Sequence, residues 1–381
     1  MRLSGLVRYE DTLAALGRKS RLRALSQQQG IDFTSNDYLG LSGSPRLAAA
    51  ILAAIEEGIP AGAGGSRLLR GNHWMHEALE AEAAAFFGAE KALYFSSGFA
   101  ANVALFSCLP QRGDLVVHDE LIHASVHAGV SAGKADAVAA RHNDIEDFDA
   151  AIRRWRTTGG KGRPWIAVES LYSMDGDRAP LAGLLEIAEH HGGFLAVDEA
   201  HATGIFGPDG CGLASGLESS GSLLTLHTCG KALGVSGALL GLPAVLASYM
   251  VNRARNFIYS TAPSPLVVAG VREALQMVGD EPERRLRLGA LRDFTGELLR
   301  SRLGITPSGS QIQPVIIGDN ARALRIAGRL QSEGFDIRAI RPPTVPRGTA
   351  RLRMSITLNV DEAQIALMIE RLTAIIEEEK A

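Results

Sequence analysis

Cysteine is scarce: Cys108, Cys211 and Cys229 are the only three in 381 residues, far apart and without a Cys-x-x-Cys pair. Three isolated thiols exclude a disulfide framework and a thiolate zinc site, and they fit a reducing compartment, so a cytoplasmic protein is expected. Long apolar runs are also missing. None approaches the roughly 18 residues of a spanning helix, and residues 1–10 lack the apolar stretch of a secretory signal, which argues against export and against a membrane. Nor is there an excess of one charge: 39 basic against 42 acidic residues leave a net charge of -3. With no basic block interleaved with aromatics, nucleic acid is not an expected partner. His142, His190 and His191 have neither the spacing nor the neighbouring carboxylates of a metal site, so no metal is expected.

What the chain has is apolar mass and glycine. At 46% hydrophobic and 21% charged it can bury a large core, and its 42 glycines imply many turns and close approaches. Short apolar runs at residues 93–95, 115–119, 165–170, 194–197 and 223–227 read as strands separated by helical segments. That alternation predicts an α/β domain with a largely parallel sheet covered on both faces. Beyond Pro265 the texture changes: a long helix over 266–278, a charged break at 280–283, then helices at 285–303, 322–333 and 361–378 with strands at 313–317, 335–340 and 351–356. These predict a small α+β domain. The expected division is a helical N-terminal segment at 1–35, a large domain at 36–280 and a small C-terminal domain at 281–381.

In a parallel sheet, ligands gather at the carboxyl ends of the strands, and several polar side chains fall there. The run Leu223-Leu224-Thr225-Leu226-His227 ends in Thr228-Cys229-Gly230-Lys231, with Gly234 and Gly237 close behind, so one amine stands on tight backbone with room for a flat ligand. Thirty-three positions earlier, Phe194-Leu195-Ala196-Val197 ends in Asp198, followed by His201. A pyridoxal phosphate enzyme needs both groups: a lysine for the Schiff base, and a carboxylate that keeps the pyridine nitrogen protonated. Ser96-Ser97-Gly98, between a strand and a helix, is a plausible phosphate turn because hydroxyls and free amides at a helix start favour an anion. The loop at 62–71, rich in glycine and with Arg67 and Arg70, would serve either as a connector or as a subunit contact beside the site.

Several stretches together resemble one family. Ser35-Asn36-Asp37-Tyr38-Leu39-Gly40-Leu41, Ser96-Ser97-Gly98-Phe99-Ala100-Ala101-Asn102, Ser173-Met174-Asp175-Gly176-Asp177, Asp198-Glu199-Ala200-His201, Gly230-Lys231 and Ile340-Arg341-Pro342-Pro343-Thr344-Val345-Pro346 occur in the order found in the α-oxoamine synthases. The last stretch resembles their 8-amino-7-oxononanoate synthase branch. The resemblance runs from about Phe33 to the final helix. It implies the PLP-dependent transferase fold of the aspartate aminotransferase type and the cofactor pyridoxal 5'-phosphate. The implied reaction is a decarboxylative condensation of L-alanine with an acyl-CoA or acyl-carrier-protein thioester, pimeloyl in that branch, which belongs to biotin synthesis. Sister activities join glycine to acetyl-CoA or succinyl-CoA, or serine to palmitoyl-CoA; a non-catalytic subunit that keeps the fold is the alternative from another class.

For individual residues, the resemblance implies that Lys231 holds the cofactor and moves the substrate α-proton, Asp198 pairs with the pyridine nitrogen and His123 stacks on the ring. His201 would bond the ring oxygen, with Ser173 nearby. Ser97, Gly98, Phe99 and Thr228 would bracket the phosphate, with Ser260 or Thr261 reaching it from the partner subunit of a homodimer with shared active sites. Asn36 and Arg353 would hold the amino-acid carboxylate, and Arg341 and Arg23 the acyl substrate. Glu199, Ala202, Cys229 and Ala232 depart from the residues common in relatives, and none removes a charge the chemistry needs.

Overall fold

The computed structural model describes residues 4–25, 27–217 and 220–379. Its strands are β1 (Ile31–Asp32), β2 (Lys91–Phe95), β3 (Leu115–Asp119), β4 (Asp136–Ala140), β5 (Pro164–Glu169), β6 (Phe194–Asp198), β7 (Leu223–Thr228), β8 (Ala238–Leu242), β9 (Ile312–Gly318), β10 (Phe335–Asp336), β11 (Ala339–Ile340) and β12 (Ala350–Ser355). The chain divides into two compact units.

The larger unit, residues 36–173 and 177–286, is built on a seven-stranded sheet of order β2-β8-β7-β6-β5-β3-β4. β7, β6, β5, β3 and β4 run parallel, and β8 is antiparallel to both β2 and β7. Along β5 the side chains alternate between two cores. Trp165 and Ala167 pack with Leu105, Phe106 and Leu226 on one face, while Ile166 and Val168 pack with Phe148, Ile152 and Leu184 on the other. A strand covered on both faces has no solvent side, which is why these strands read as continuous apolar runs in the sequence. The expected α/β class with a mostly parallel sheet is therefore the observed one. The strands missing from the sequence reading are β4 and β8. β4 is an edge strand, Asp-Ala-Val-Ala-Ala, with only Ala140 buried, so its apolar residues are small and only Val138 has bulk. β8 follows directly on Gly237, and its Leu-rich run was hidden behind a glycine-dense turn.

The other unit gathers the described residues up to Ser35, residues 174–176 and those from Arg287 onward. An antiparallel sheet of order β11-β12-β9 packs with helix Asn320–Ser332, which in turn packs with helix Glu362–Glu378, and β12 is buried along its whole length. The expected strand at 335–340 is broken into β10, which pairs parallel with β1, and β11, which pairs with β12. Within the helical segment expected at 1–35, the described residues form a 3-10 turn at Ser4–Leu6 and an α-helix at Val7–Arg18.

At the carboxyl end of β3, Asp119 accepts from the backbone N–H of Leu121 (2.8 Å) and Asn143 (2.9 Å) and from His142 Nδ1 at 2.9 Å. The other ring nitrogen of His142 lies 2.8 Å from Asp177. Burial opposes charge on this ring, but two carboxylates on opposite edges outweigh it and push the His142 pKa from 6.5 up to about 10. The folded state thus holds the proton more tightly than the unfolded chain. Its contribution to stability is complete below about pH 6.5 and is lost as pH rises through about 10. A His142→Asn variant is expected to be less stable than the parent at pH 6, with the gap closing by pH 10. Urea denaturation of both proteins across that range measures it.

Candidate active site

The carboxyl ends of β5, β6 and β7 open into a cavity of about 370 Å³ in the larger unit, lined by Asn36, Ser96, Ser97, Gly98, Phe99, Asn102, His123, Ser125, Glu169, Asp198, Ala200, His201, Thr228, Gly230, Lys231, Ser236 and Gly237. That volume suits a small ligand.

On one side, β2 ends at Phe95 and the chain turns into the helix Gly98–Cys108, with Ser97 as its cap accepting from Ala100 N–H at 3.1 Å. The first amides of this helix have no intrahelical acceptors, so the turn favours an anion. Thr228, the last residue of β7, closes against it. A Cβ added at Gly98 would stand 2.5 Å from Thr228 Cγ2. Only glycine allows this approach, and a Gly98→Val variant is expected to keep the fold while weakening pyridoxal phosphate binding about tenfold, as overpacking of 1–3 kcal/mol is relieved at the expense of the turn. Absorbance titration with the cofactor measures it.

At the floor, Asp198 ends β6, buried. Its Oδ1 accepts from Ala200 N–H at 3.0 Å and its Oδ2 from Asn102 Nδ2 at 2.8 Å. The same amide nitrogen donates to Ser125 Oγ at 2.9 Å, and Ser125 Oγ lies 2.7 Å from His123 Nδ1. The backbone N–H of Ser125 also donates to His123 Nδ1, at 3.3 Å, so that nitrogen is an acceptor, the Ser125 hydroxyl donates to it, and His123 carries its hydrogen on Nε2. His123 is a neutral ring: burial lowers its pKa and Lys231 adds to that, against the opposing pull of Asp198. It caps the helix Ala124–Ala132, which fixes the ring against the cavity.

Across the cavity, Lys231 Nζ is 2.8 Å from His201 Nε2, and His201 Nδ1 is 2.7 Å from the Tyr38 hydroxyl. Tyr38, fully buried, donates to Asn36 Oδ1 at 2.9 Å. Hydrogen-bond accounting then makes Nδ1 of His201 a donor to Tyr38 and Nε2 an acceptor for the lysine amine. Glu199, next to Asp198, turns away from the cavity and accepts from Ser170 Oγ (2.7 Å), Leu213 N–H (3.1 Å) and Ala214 N–H (2.5 Å). It anchors the loop after β6.

Of the residues singled out in the sequence, Asn36, Ser97, Gly98, Phe99, His123, Asp198, His201, Thr228 and Lys231 line this one cavity. Ser173 does not line it, but its N–H donates to Glu169, which does, at 2.9 Å. Ser260 and Thr261 are exposed and outside the lining; Thr261 bridges to Ser66 of the glycine loop. Arg353, Arg341 and Arg23 belong to the other unit. There Arg353 is buried on β12 with Nη1 donating to Ser355 Oγ at 2.6 Å. Arg23 donates to Thr344 Oγ1 at 3.0 Å and Arg341 to the carbonyl of Ser20. Arg23, Arg341, Thr344 and Arg21, whose Nε is buried without a hydrogen-bond partner, line a cavity of about 260 Å³, and Arg353 is not among its lining. The sequence reading missed Arg21, Tyr38, Asn102, Ser125 and Glu169 as site residues. Glu169 carried the same signal as Asp198, an acid at the end of an apolar run.

The residues present fit pyridoxal phosphate. An amine and a buried carboxylate face one cavity, a glycine cradle with free helix amides stands to one side, and a flat neutral imidazole lines the wall. This arrangement defines a class, and residues 28–372 match the Aminotransferase class I and II family. The chain belongs to that family. It is similar to the 8-amino-7-oxononanoate synthase of Anaeromyxobacter dehalogenans, 40% identical over 379 residues that cover 96% of this chain and 94% of the relative. It is likewise similar to that of an Azoarcus species, 42% identical over 335 residues, 87% and 85% of the two chains. Among solved structures, it resembles a serine palmitoyltransferase from S. paucimobilis with a bound PLP-myriocin aldimine (TM-score 0.87, 27% identity, 98% and 97% covered). It also resembles an 8-amino-7-oxononanoate synthase from Francisella tularensis (TM-score 0.77, 28% identity, 92% and 99% covered). Among the described residues, no helix is long and apolar enough to cross a membrane.

Proposed function

We propose that this chain is a pyridoxal phosphate-dependent 8-amino-7-oxononanoate synthase that condenses L-alanine with a pimeloyl thioester, carried by CoA or by a carrier protein, with loss of carbon dioxide. The observation that carries the reading is the convergence of Lys231, Asp198, His123, His201 and the Ser97-Gly98 helix start on one cavity. Relatives about 40% identical over nearly the whole chain bear that activity in their names. The protein works in the cytoplasm as a homodimer with shared active sites, Ser260 or Thr261 serving the partner's phosphate.

The cofactor, when bound, supplies an electron sink for the carbanion formed at the α-carbon of the amino acid. Asp198 holds the proton on its ring nitrogen, with Asn102 and Ala200 fixing the carboxylate. Ser97, Gly98, Phe99 and Thr228 hold the phosphate. Lys231 takes the α-proton and later returns it, its amine aimed by His201, which Tyr38 orients in turn. His123 supplies the flat wall that keeps water from the ring face, and Ser173 supports the edge near Glu169. Asn36 and Arg353 take the amino-acid carboxylate, the latter with a guanidinium fork matched to it. Arg23 and Arg341 take the distal carboxylate of the pimeloyl chain. The arginine cluster around a polar cavity supports a dicarboxylic acyl group over a plain fatty acyl chain.

The solved serine palmitoyltransferases, with TM-scores of 0.82 to 0.89, favour a second reading, a sister condensation. Offering the loaded protein alanine, glycine and serine, each with pimeloyl-, acetyl-, succinyl- and palmitoyl-CoA, separates the two by thiol release. Turnover fastest with alanine and pimeloyl-CoA is expected; a preference for serine with palmitoyl-CoA would overturn the reading. In the same assay, Arg341→Ala is expected to raise KM for pimeloyl-CoA about tenfold or more, the loss of one charge-assisted contact, with little change in kcat.

A further inference from the structure

Tyr94 takes no part in the steps above, yet it is one of the largest fully buried side chains of the protein and it stands against the loop that carries Lys231. That loop, residues 229–237, joins β7 to β8 and contributes Gly230, Lys231, Ser236 and Gly237 to the cavity wall. Backbone bonds within it, from Gly234 N–H to the Lys231 carbonyl (2.9 Å), from Val235 N–H to the Cys229 carbonyl (2.8 Å) and from Cys229 N–H to the Gly237 carbonyl (2.9 Å), fix its shape. They do not fix where it stands against the sheet. β2 runs antiparallel to β8, with Phe95 opposite Ala238 and Tyr94 opposite Leu239, which brings Tyr94 to the point where the loop rejoins the sheet. Its hydroxyl donates to the Ser236 carbonyl at 2.7 Å. Its ring fills the place of a side chain at Gly237: a Cβ added there would collide with the Tyr94 hydroxyl and ring, and a φ of +116° already favours glycine. Burial, then the neighbouring Cys229, pushes the Tyr94 pKa up from 10, so the phenol stays a neutral donor.

Tyr94 is itself held through its backbone. Its N–H donates to Glu80 Oε1 at 2.9 Å. Glu80 in turn accepts both prongs of the Arg67 guanidinium, at 2.8 and 2.9 Å, with both side chains largely shielded from solvent. A bidentate pair of this kind fixes direction as well as distance. The end of β2 is thus a rigid post, and the phenol passes that rigidity to the lysine loop. Proton transfer needs the amine within hydrogen-bond reach of its target, and a displacement of about 1 Å can cost about 10²-fold in rate.

We propose that Tyr94 is a positioning residue for the chemistry of Lys231: through the Ser236 carbonyl and Gly237 it holds the loop at 229–237 so that the amine stays against His201 and the cofactor. Tyr94 does not line the cavity and acts only through the loop. The inference rests on the pyridoxal phosphate reading above.

The test compares the wild type, Tyr94→Phe, Tyr94→Leu and a control, Ile152→Val, a change at a core residue outside the cavity lining. Each is checked by thermal unfolding and loaded with pyridoxal phosphate. The readouts are the midpoint of the pH-dependent change in visible absorbance, which follows the lysine amine, and kcat and KM for alanine and pimeloyl-CoA. Y94F keeps the ring and loses the hydroxyl. It is expected to lower kcat about fivefold to tenfold with both KM values within about twofold, and to move the midpoint by about half a unit. Y94L loses the ring as well and is expected to lower kcat about thirtyfold or more. I152V is expected to lose thermal stability with kcat and midpoint unchanged. Y94F with the wild-type kcat and midpoint, an effect that falls on KM instead of kcat, or the same changes in kcat and midpoint in I152V would overturn the proposal. A wild-type protein that takes up no cofactor overturns the reading beneath it instead.

Discussion

Replacing Lys231 with alanine is expected to lower kcat by about 10⁴-fold or more while leaving the fold intact. The amine is assigned two tasks, covalent attachment of the cofactor and transfer of the α-proton, and positioned proton transfer alone is worth about 10² to 10⁴ in rate. Lys231 is only half-buried and leaves no core cavity when truncated, so urea denaturation should find the variant within about 1 kcal/mol of the parent. Arginine is no substitute: a guanidinium stays protonated and can neither form the attachment nor accept a proton. Steady-state thiol release from alanine and pimeloyl-CoA by the wild type, K231A and K231R measures the effect. Rates for either variant within tenfold of the parent would remove Lys231 from the chemistry.

Asp198→Asn should have the next largest effect, a fall in kcat of about 10² to 10³, comparable with losing one preorganised electrostatic partner of a developing charge. The substitution keeps the size of the side chain and an acceptor for Ala200 N–H, but it points an amide NH2 at the Asn102 amide, where Oδ2 now accepts at 2.8 Å. It also removes the negative charge that holds the ring proton. Because Asn102 connects Asp198 through Ser125 to His123, the loss extends to the ring that lines the opposite wall. Asp198→Glu, which retains the charge, is expected to recover part of the rate; kcat and the visible absorbance of each loaded variant decide it.

The parallel sheet was legible because strands buried on both faces write themselves as apolar runs, and the acid, amine and hydroxyl groups at their ends stand out against those runs. Lys231 and Asp198 were visible for that reason. Asn102 was not: it lies inside the helix Gly98–Cys108, and only the fold carries it to Asp198, 96 positions away. Tyr38 sat within a quoted motif, but its role depends on reaching His201 across 163 positions. Glu169 was legible in principle, since it ends β5 as Asp198 ends β6, and it was passed over because no neighbouring residue in the sequence marks it as facing the same cavity. β4 left no trace because an exposed edge strand with a single β-branched residue, Val138, among alanines has neither apolar alternation nor much β-forming bulk. The broken strand at β10 and β11 read as one because nothing between Asp336 and Ala339 is a turn residue.

The most direct test of the account is borohydride reduction of the protein loaded with pyridoxal phosphate, followed by peptide mass spectrometry. A pyridoxyl adduct on the peptide that carries Lys231, absent from K231A, is the expected result. An adduct on a different lysine, or none at all in a protein that binds the cofactor, would contradict it.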